Sequence, residues 1–103
     1  MDRIYGGKNM DSDEQLLLEA DLQSLMTFLV VYRERSVSRA AACLGVKQPA
    51  VSNTLSKLRK RFNDELFIRN HAYCPTEKAS AIAQLLDPAF LNLQAAIRKL
   101  PLA

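Results

Sequence analysis

The sequence predicts a mainly α-helical domain: three helices, a small two-stranded hairpin, and a long C-terminal linker helix. Three observations predict it. An alanine-rich segment, residues 39–44, ends at Gly45 and is followed by a proline-led amphipathic segment reaching about Phe62. Two short runs, residues 66–69 and 72–74, flank Asn70 and His71, a spacing that suits a hairpin. Further on, Ile82, Leu86, Ala89, Leu93, Ala96 and Leu100 recur at alternating steps of four and three, the spacing of a coiled-coil seam. A chain of 103 residues has room for one domain with one modest core.

Each element follows from local chemistry. Residues 1–20 form an acidic leader with Gly6-Gly7 and no sustained apolar stripe before Leu16. It is expected to be flexible to residue 14, then a frayed helical turn. Asp21 is the expected N-cap of the first core helix, because its carboxylate can accept from the free N–H groups of the first turn. Leu22, Leu25, Met26, Leu29 and Tyr32 form that helix's apolar stripe, and it ends near Arg35. Ser36 or Ser38 caps the second helix, residues 39–44, whose run Ala40-Ala41-Ala42 lets another helix cross close by. Gly45 suits the left-handed residue that ends a helix. Val46 and Lys47 complete the turn, and Pro49 fits the first position of the third helix, where its missing N–H costs nothing.

In the third helix Val51, Leu55, Leu58 and Phe62 share one face, which must point inward. Pro49, Asn53, Ser56 and Lys60 lie opposite, flanked by Ser52 and Lys57. Asn63-Asp64 makes a turn, the hairpin follows, and Pro75 ends its second strand. Thr76 is the expected N-cap of the last helix, beginning at Glu77. Leu85, Phe90 and Ile97 widen its seam beyond what a lone surface helix needs, which points to a dimer interface. Pro88 is expected to kink or split the helix. The expected division is therefore a leader at 1–20, a core domain at 21–75 and a linker helix at 76–103.

Charge is unevenly placed. Residues 1–21 carry six acidic and two basic side chains, a net of −4, while residues 33–71 carry nine basic and three acidic, a net of +6. Basic charge concentrated there is what a polyanion-binding surface needs. No apolar run approaches the roughly 20 residues that span a bilayer, and the leader lacks a signal-peptide core, so a cytoplasmic protein is expected. Cys43 and Cys74 fit no metal or disulfide spacing. They read as small, semi-buried hydrophobes, with a redox pair as the alternative. No glycine-rich phosphate loop, metal-ligand cluster or triad is present, so neither enzyme activity, cofactor nor metal is expected. His71 has no nucleophile or orienting partner in view; it reads as a solvent-exposed wing residue or a phosphate contact.

A short helix, a glycine-bearing turn and a helix with a polar outer face form a helix-turn-helix, and the hairpin after it acts as a wing. Such a helix enters the major groove with its first residues against base edges. Gln48, Ser52 and Asn53 can hydrogen-bond bases there, with Pro49 and Ser56 completing the same face. Lys57, Lys60 and Arg61 are placed for phosphates, with Arg39 and Lys47 beside them, and Arg69 would reach backbone or minor groove from the wing.

These residues also carry a family likeness. Asp21-Leu22, Ser38-Arg39-Ala40-Ala41, Leu44-Gly45-Val46, Gln48-Pro49-Ala50-Val51-Ser52, Leu66-Phe67-Ile68-Arg69 and Pro75-Thr76 together resemble the N-terminal domain of LysR-type transcriptional regulators. The run Phe62-Asn63-Asp64-Glu65-Leu66-Phe67 is most similar to the branch containing LeuO and the nodulation regulators. The resemblance covers about residues 21–100. It implies a winged helix-turn-helix with a linker helix that pairs two chains, bound to an AT-containing inverted repeat. It further implies that Gln48, Pro49, Ser52 and Asn53 face the major groove, and Arg69 the backbone or minor groove. Two departures stand out. Ala79 replaces a glycine usual in the family, and the family's effector-sensing domain is not among these residues, so no small-molecule effector is expected here. The chain is expected to be the front part of a longer regulator.

The expected dimer interface is Ile82, Leu86, Ala89, Phe90, Leu93, Ile97 and Leu100. A different class of function needs only that stripe: a module pairing with a full-length regulator and blocking its DNA binding. Direct DNA binding also needs the polar face of residues 48–60, which is intact and basic here and favours DNA.

Overall fold

Capping decides where the helices of this protein begin. The computed structural model describes residues 11–70 and 72–101; the expectations for residues 1–10 and for His71 lie outside them. Helix α1, Ser12–Glu19, starts earlier than the turn expected from residue 14. The cause is a capping box: the Glu14 N–H donates to Asp11 Oδ1 at 2.8 Å, and the Asp11 N–H donates back to Glu14 Oε1 at 3.3 Å. Asp21 caps α2, Leu22–Glu34, through the Ser24 N–H, as expected. Of the two serines proposed to cap α3, Val37–Leu44, it is Ser36 that accepts from the Arg39 N–H at 3.1 Å. Helix α4, Gln48–Phe62, begins one residue ahead of the proline, so Pro49 takes the second position. That position's N–H is also without an intrahelical partner, and the proline fits it equally well.

Strands β1, Phe67–Asn70, and β2, Ala72–Pro75, pair antiparallel with Arg69 opposite Tyr73 and Phe67 opposite Pro75. Pro75 therefore stands within β2 as its last residue. Helix α5, Glu77–Arg98, runs through Pro88 as a single helix and is not split there.

Helix α2 packs on α3, α4 and α5, and α3 on α4. Being embraced on several sides, α2 buries a wider arc than one stripe. Leu25, Phe28, Val30 and Val31 are buried, whereas Met26, Leu29 and Tyr32 are only half-buried and Leu22 is exposed. The expected stripe thus marked one flank of the face that goes into the core. Phe28 lies at its centre, completely inaccessible, with its ring centroid 6.2 Å from Tyr32 and 5.6 Å from Phe67; Phe67 in turn stacks on Tyr73 at 5.7 Å. Buried Ala40 and Ala41 of α3 and Ala79 and Ala83 of α5 supply the close approaches around this column. Ala79 is accommodated in the core as an alanine, with no accessible surface.

Phe28→Ala should remove the centre of the column and lower unfolding free energy by roughly 3–5 kcal/mol, the usual cost of deleting a fully buried phenylalanine. Urea denaturation followed by circular dichroism reads this directly, and a loss below about 1 kcal/mol would contradict the core assigned here.

Candidate nucleic-acid interface

Burial of Val51, Leu55 and Leu58 forces the opposite face of α4 outward. Gln48, Pro49, Ser52, Asn53, Ser56, Lys57 and Lys60 are accordingly all exposed. At the start of α4, Gln48 shares a shallow groove with Ser36, Ser38 and Arg39 of the α3 N-terminus and with Arg69 and Tyr73 of the hairpin. Three residues chosen from separate parts of the sequence, Gln48, Arg39 and Arg69, are thus brought to one surface.

The aromatic column sets the position of this surface. Arg69 lies over the Tyr73 ring at 5.6 Å, and Arg35 over the Tyr32 ring at 4.9 Å, so a guanidinium sits at each end of the stack. Arg35, expected only as the end of the first core helix, also lines the groove. It ends α2 in the left-handed conformation, φ 56°, and its carbonyl accepts the Tyr73 N–H at 3.4 Å. A positive φ at an arginine has no sequence signature, since glycine is the usual residue there.

Several basic groups serve the fold. Arg39 donates to the Glu34 carbonyl and pairs with its carboxylate at 3.7 Å. Arg59 Nε donates to the Glu65 carbonyl at 3.0 Å, and Lys78 Nζ to that of Phe62 at 2.9 Å. Arg61 departs most from its expected phosphate role: Nη1 donates to the Ala20 carbonyl at 2.8 Å and Nη2 to that of Glu19 at 3.1 Å. Its guanidinium is held by the end of α1. The side chains of Lys47 and Lys60 carry no hydrogen bond or ion pair among the described residues and stand free at the surface. Lys57 lies near Asp21, whose carboxyl is held below the ordinary range first by hydrogen bonds from Ser24, with Lys57 and Arg61 adding to the effect. Cys43 and Cys74 are both exposed, correcting the expectation of semi-buried side chains.

The wing is fastened to α5 by a small polar knot. Thr76 Oγ1 donates to Asp64 Oδ2 at 2.6 Å, the Leu66 N–H donates to the same oxygen at 2.9 Å, and the Thr76 N–H donates to the Leu66 carbonyl at 2.9 Å. Thr76 Oγ1 in turn accepts from the Ala79 N–H at 3.1 Å, so Thr76 is the helix cap it was expected to be. Between these bonds Leu66 is held fully buried at φ 67°, a conformation rare for a bulky residue. Asp64 had been seen only as half of a turn.

The seam expected along α5 is divided. Ile82, Leu86 and Phe90 lie half-buried against the chain's own core, because Met26, Leu29 and Tyr32 of α2 and Leu25 below them offer an apolar surface. Ala89 is exposed, and Leu93, Ile97 and Leu100 are exposed farther along. Leu85 and Leu91, the former 77% exposed, join the uncovered set. No helix among the described residues is long and apolar enough to cross a membrane.

A helix-turn-helix followed by a two-stranded wing and a long helix defines a winged helix-turn-helix protein. Residues 22–80 match the family described as bacterial regulatory helix-turn-helix protein, lysR family, and the chain belongs to that family. It is 34% identical over 92 residues to the transcriptional regulator SyrM 1 of Sinorhizobium fredii, covering 88% of this chain and 27% of that protein. With LeuO of Escherichia coli it shares 47% identity over 60 residues, 57% of this chain and 19% of LeuO. The chain thus spans about a quarter or less of the curated relatives it matches. Among solved structures, the probable transcriptional regulator PA0477 of Pseudomonas aeruginosa superposes with a TM-score of 0.76 at 34% identity, over 82% of this chain and 29% of that one. The BenM DNA-binding domain, solved in complex with catB site 1 DNA, has a TM-score of 0.71 at 23% identity, over 76% of this chain and 88% of that one, and shares the fold.

The Asp64 knot carries a pH dependence of known sign. The hydrogen bonds from Thr76 and Leu66 hold the Asp64 carboxyl below the ordinary range. Its contribution to stability is therefore present above the unfolded value of about 3.9 and is lost as pH falls through the lower folded value. Asp64→Asn should flatten the stability loss below about pH 4 relative to the parent chain, measured by thermal unfolding across pH. Parallel curves for the two proteins would remove Asp64 from the polar knot.

Proposed function

We propose that this chain binds double-stranded DNA sequence-specifically as a homodimer, with α4 in the major groove and the wing beside it. The observation that carries this reading is the exposed polar first half of α4, standing in one surface with Arg39 and Arg69. The DNA complex of the BenM domain and the relatives' names as transcriptional regulators support it. Gln48, Pro49, Ser52, Asn53 and Ser56 read bases. Lys47, Lys57 and Lys60 grip phosphates, and Arg39 and Arg69 meet the backbone or minor groove at the edge of the same surface. Arg61 leaves this set, because its guanidinium is committed to the carbonyls of residues 19 and 20.

Residues 21–75 are the DNA-binding unit in this reading, and residues 76–103 the linker segment, whose helix α5 pairs two copies. A single recognition helix reads few base pairs, so duplication through α5 supplies the second half-site, and the target is an AT-containing inverted repeat. Leu93, Ile97 and Leu100 carry the contact between copies, since the core already engages Ile82, Leu86 and Phe90. The role is non-catalytic and cytoplasmic.

Replacing Gln48 or Asn53 by Ala should cost roughly 1–3 kcal/mol at one base position and relax preference there, whereas Lys60→Ala should weaken all sequences evenly and reduce the salt slope by about one. In-vitro selection from a random DNA pool, with salt titration of the selected site, separates the two behaviours. An unchanged consensus in both Gln48→Ala and Asn53→Ala would move the reading face elsewhere. Leu93→Asp should abolish the dimer, and an unchanged mass by sedimentation would exclude α5 as the pairing surface.

A further inference from the structure

Among the described residues, three arginines, Arg35, Arg39 and Arg69, and no acid line the shallow groove that contains Gln48. A surface of that composition attracts a phosphate backbone in any register, because the attraction carries no sequence information. Glu34 bears on it from outside the lining. This residue ends α2, and its carboxylate takes Arg33 Nε on one oxygen at 3.1 Å and Arg39 Nε on the other at 3.7 Å. Arg39 Nη2 also donates to the Glu34 carbonyl.

Local chemistry favours neither partner where it stands. The last turn of a helix carries partial negative charge, which opposes a carboxylate at the end of α2. Arg39, at the third position of α3, opposes the positive end of that helix. Folding has little to gain from the pairing either. The Arg33 and Arg39 side chains are 63% and 66% exposed, and exposed ion pairs contribute little to stability. Two exposed guanidiniums are thus tethered to one half-buried carboxylate.

The effect of the tether falls on the groove. Arg35 and Arg69 are held by the Tyr32 and Tyr73 rings, which leave their charge in place. Among the described residues, Arg39 is the one of the three that is paired with an opposite charge. A phosphate that meets Arg39 in an arbitrary register must compete with Glu34 for it. A phosphate brought beside the groove when α4 is seated on base edges meets a guanidinium already held by the carbonyl of residue 34.

We propose that Glu34 is a specificity-determining residue of the DNA interface, acting as a positioning residue through Arg39. It withholds that guanidinium from phosphates met out of register, while Arg33 secures the second carboxylate oxygen. The assignment rests on the DNA-binding reading above, and its test keeps the two apart.

Binding of the 103-residue chain to two duplexes of equal length, the sequence selected from the random pool and an unrelated one, is followed by fluorescence anisotropy against salt. Glu34→Gln should bind the unrelated duplex about tenfold more tightly and steepen its salt slope by about one, the worth of one added phosphate contact. Affinity for the selected duplex should change much less, so that discrimination falls. Glu34→Asp, which keeps the charge, should stay nearer the parent. In an Arg39→Gln background, Glu34→Gln should cause no further loss of discrimination, since the residue it acts through is gone. Three results would each overturn the assignment and leave DNA binding standing: parent-like discrimination in Glu34→Gln, a loss that persists in the Arg39→Gln background, or a marked fall in the thermal unfolding midpoint of Glu34→Gln. A parent chain that binds both duplexes equally at every salt concentration overturns the sequence-reading proposal as well.

Discussion

Phe28 has no accessible surface, and its ring meets Tyr32 on one side and Phe67 on the other, so α2 and the wing share a single aromatic column. Because Phe67 also stacks on Tyr73, the position of the wing is set by the same contacts that close the core. Arg35 and Arg69, which end the column, are therefore held by packing and not by loop conformation. The small alanines of α3 and α5 matter for the same reason: any larger side chain there would push an element away from the column. The candidate reading surface is an indirect product of this burial.

Electrostatics divides the basic residues into two populations. Arg39, Arg59, Arg61 and Lys78 spend donors on backbone carbonyls at helix ends and turns. Lys47 and Lys60 have no such commitment, and Lys57 has only the nearby Asp21 carboxylate. A net charge summed over residues 33–71 counts both populations alike, so it overstates the charge available to a polyanion. The polar knot of Asp64, Thr76 and Leu66 shows the same economy. Three hydrogen bonds hold one strained residue and fix the exit of α5 from the wing.

Much of the architecture was legible because its signals are local. Asp21, Ser36 and Thr76 cap helices wherever they stand before a run that can be helical, since the cap needs only the next three residues. Gly45, at φ 69°, ends α3 for an equally local reason. The face of α4 was legible too, because its inner residues are large and its outer ones polar. Where one helix is surrounded, periodicity lost its power: α2 buries Phe28 and Val31 between residues that a single stripe had favoured. Pro88 is a different case: of the kink or split expected there, the split does not occur. A proline removes one backbone bond, yet α5 continues through it because Phe90 and Leu86 still pack against the core on either side.

By itself, then, the amino-acid sequence determined the order of elements, their caps and the outward polar face of α4, all set by neighbours within a turn or two along the chain. Only the tertiary structure decided how residues far apart are spent. Arg61 turned from a phosphate ligand into the anchor of α1 because carbonyls some forty residues earlier lie within reach of its guanidinium. The apolar stripe of α5 was likewise divided between core and surface by the presence of α2, whose half-buried residues cover its first half and leave Leu93, Ile97 and Leu100 uncovered. Burial and hydrogen bonding between distant segments depend on where the folded chain returns, and no local pattern encodes that.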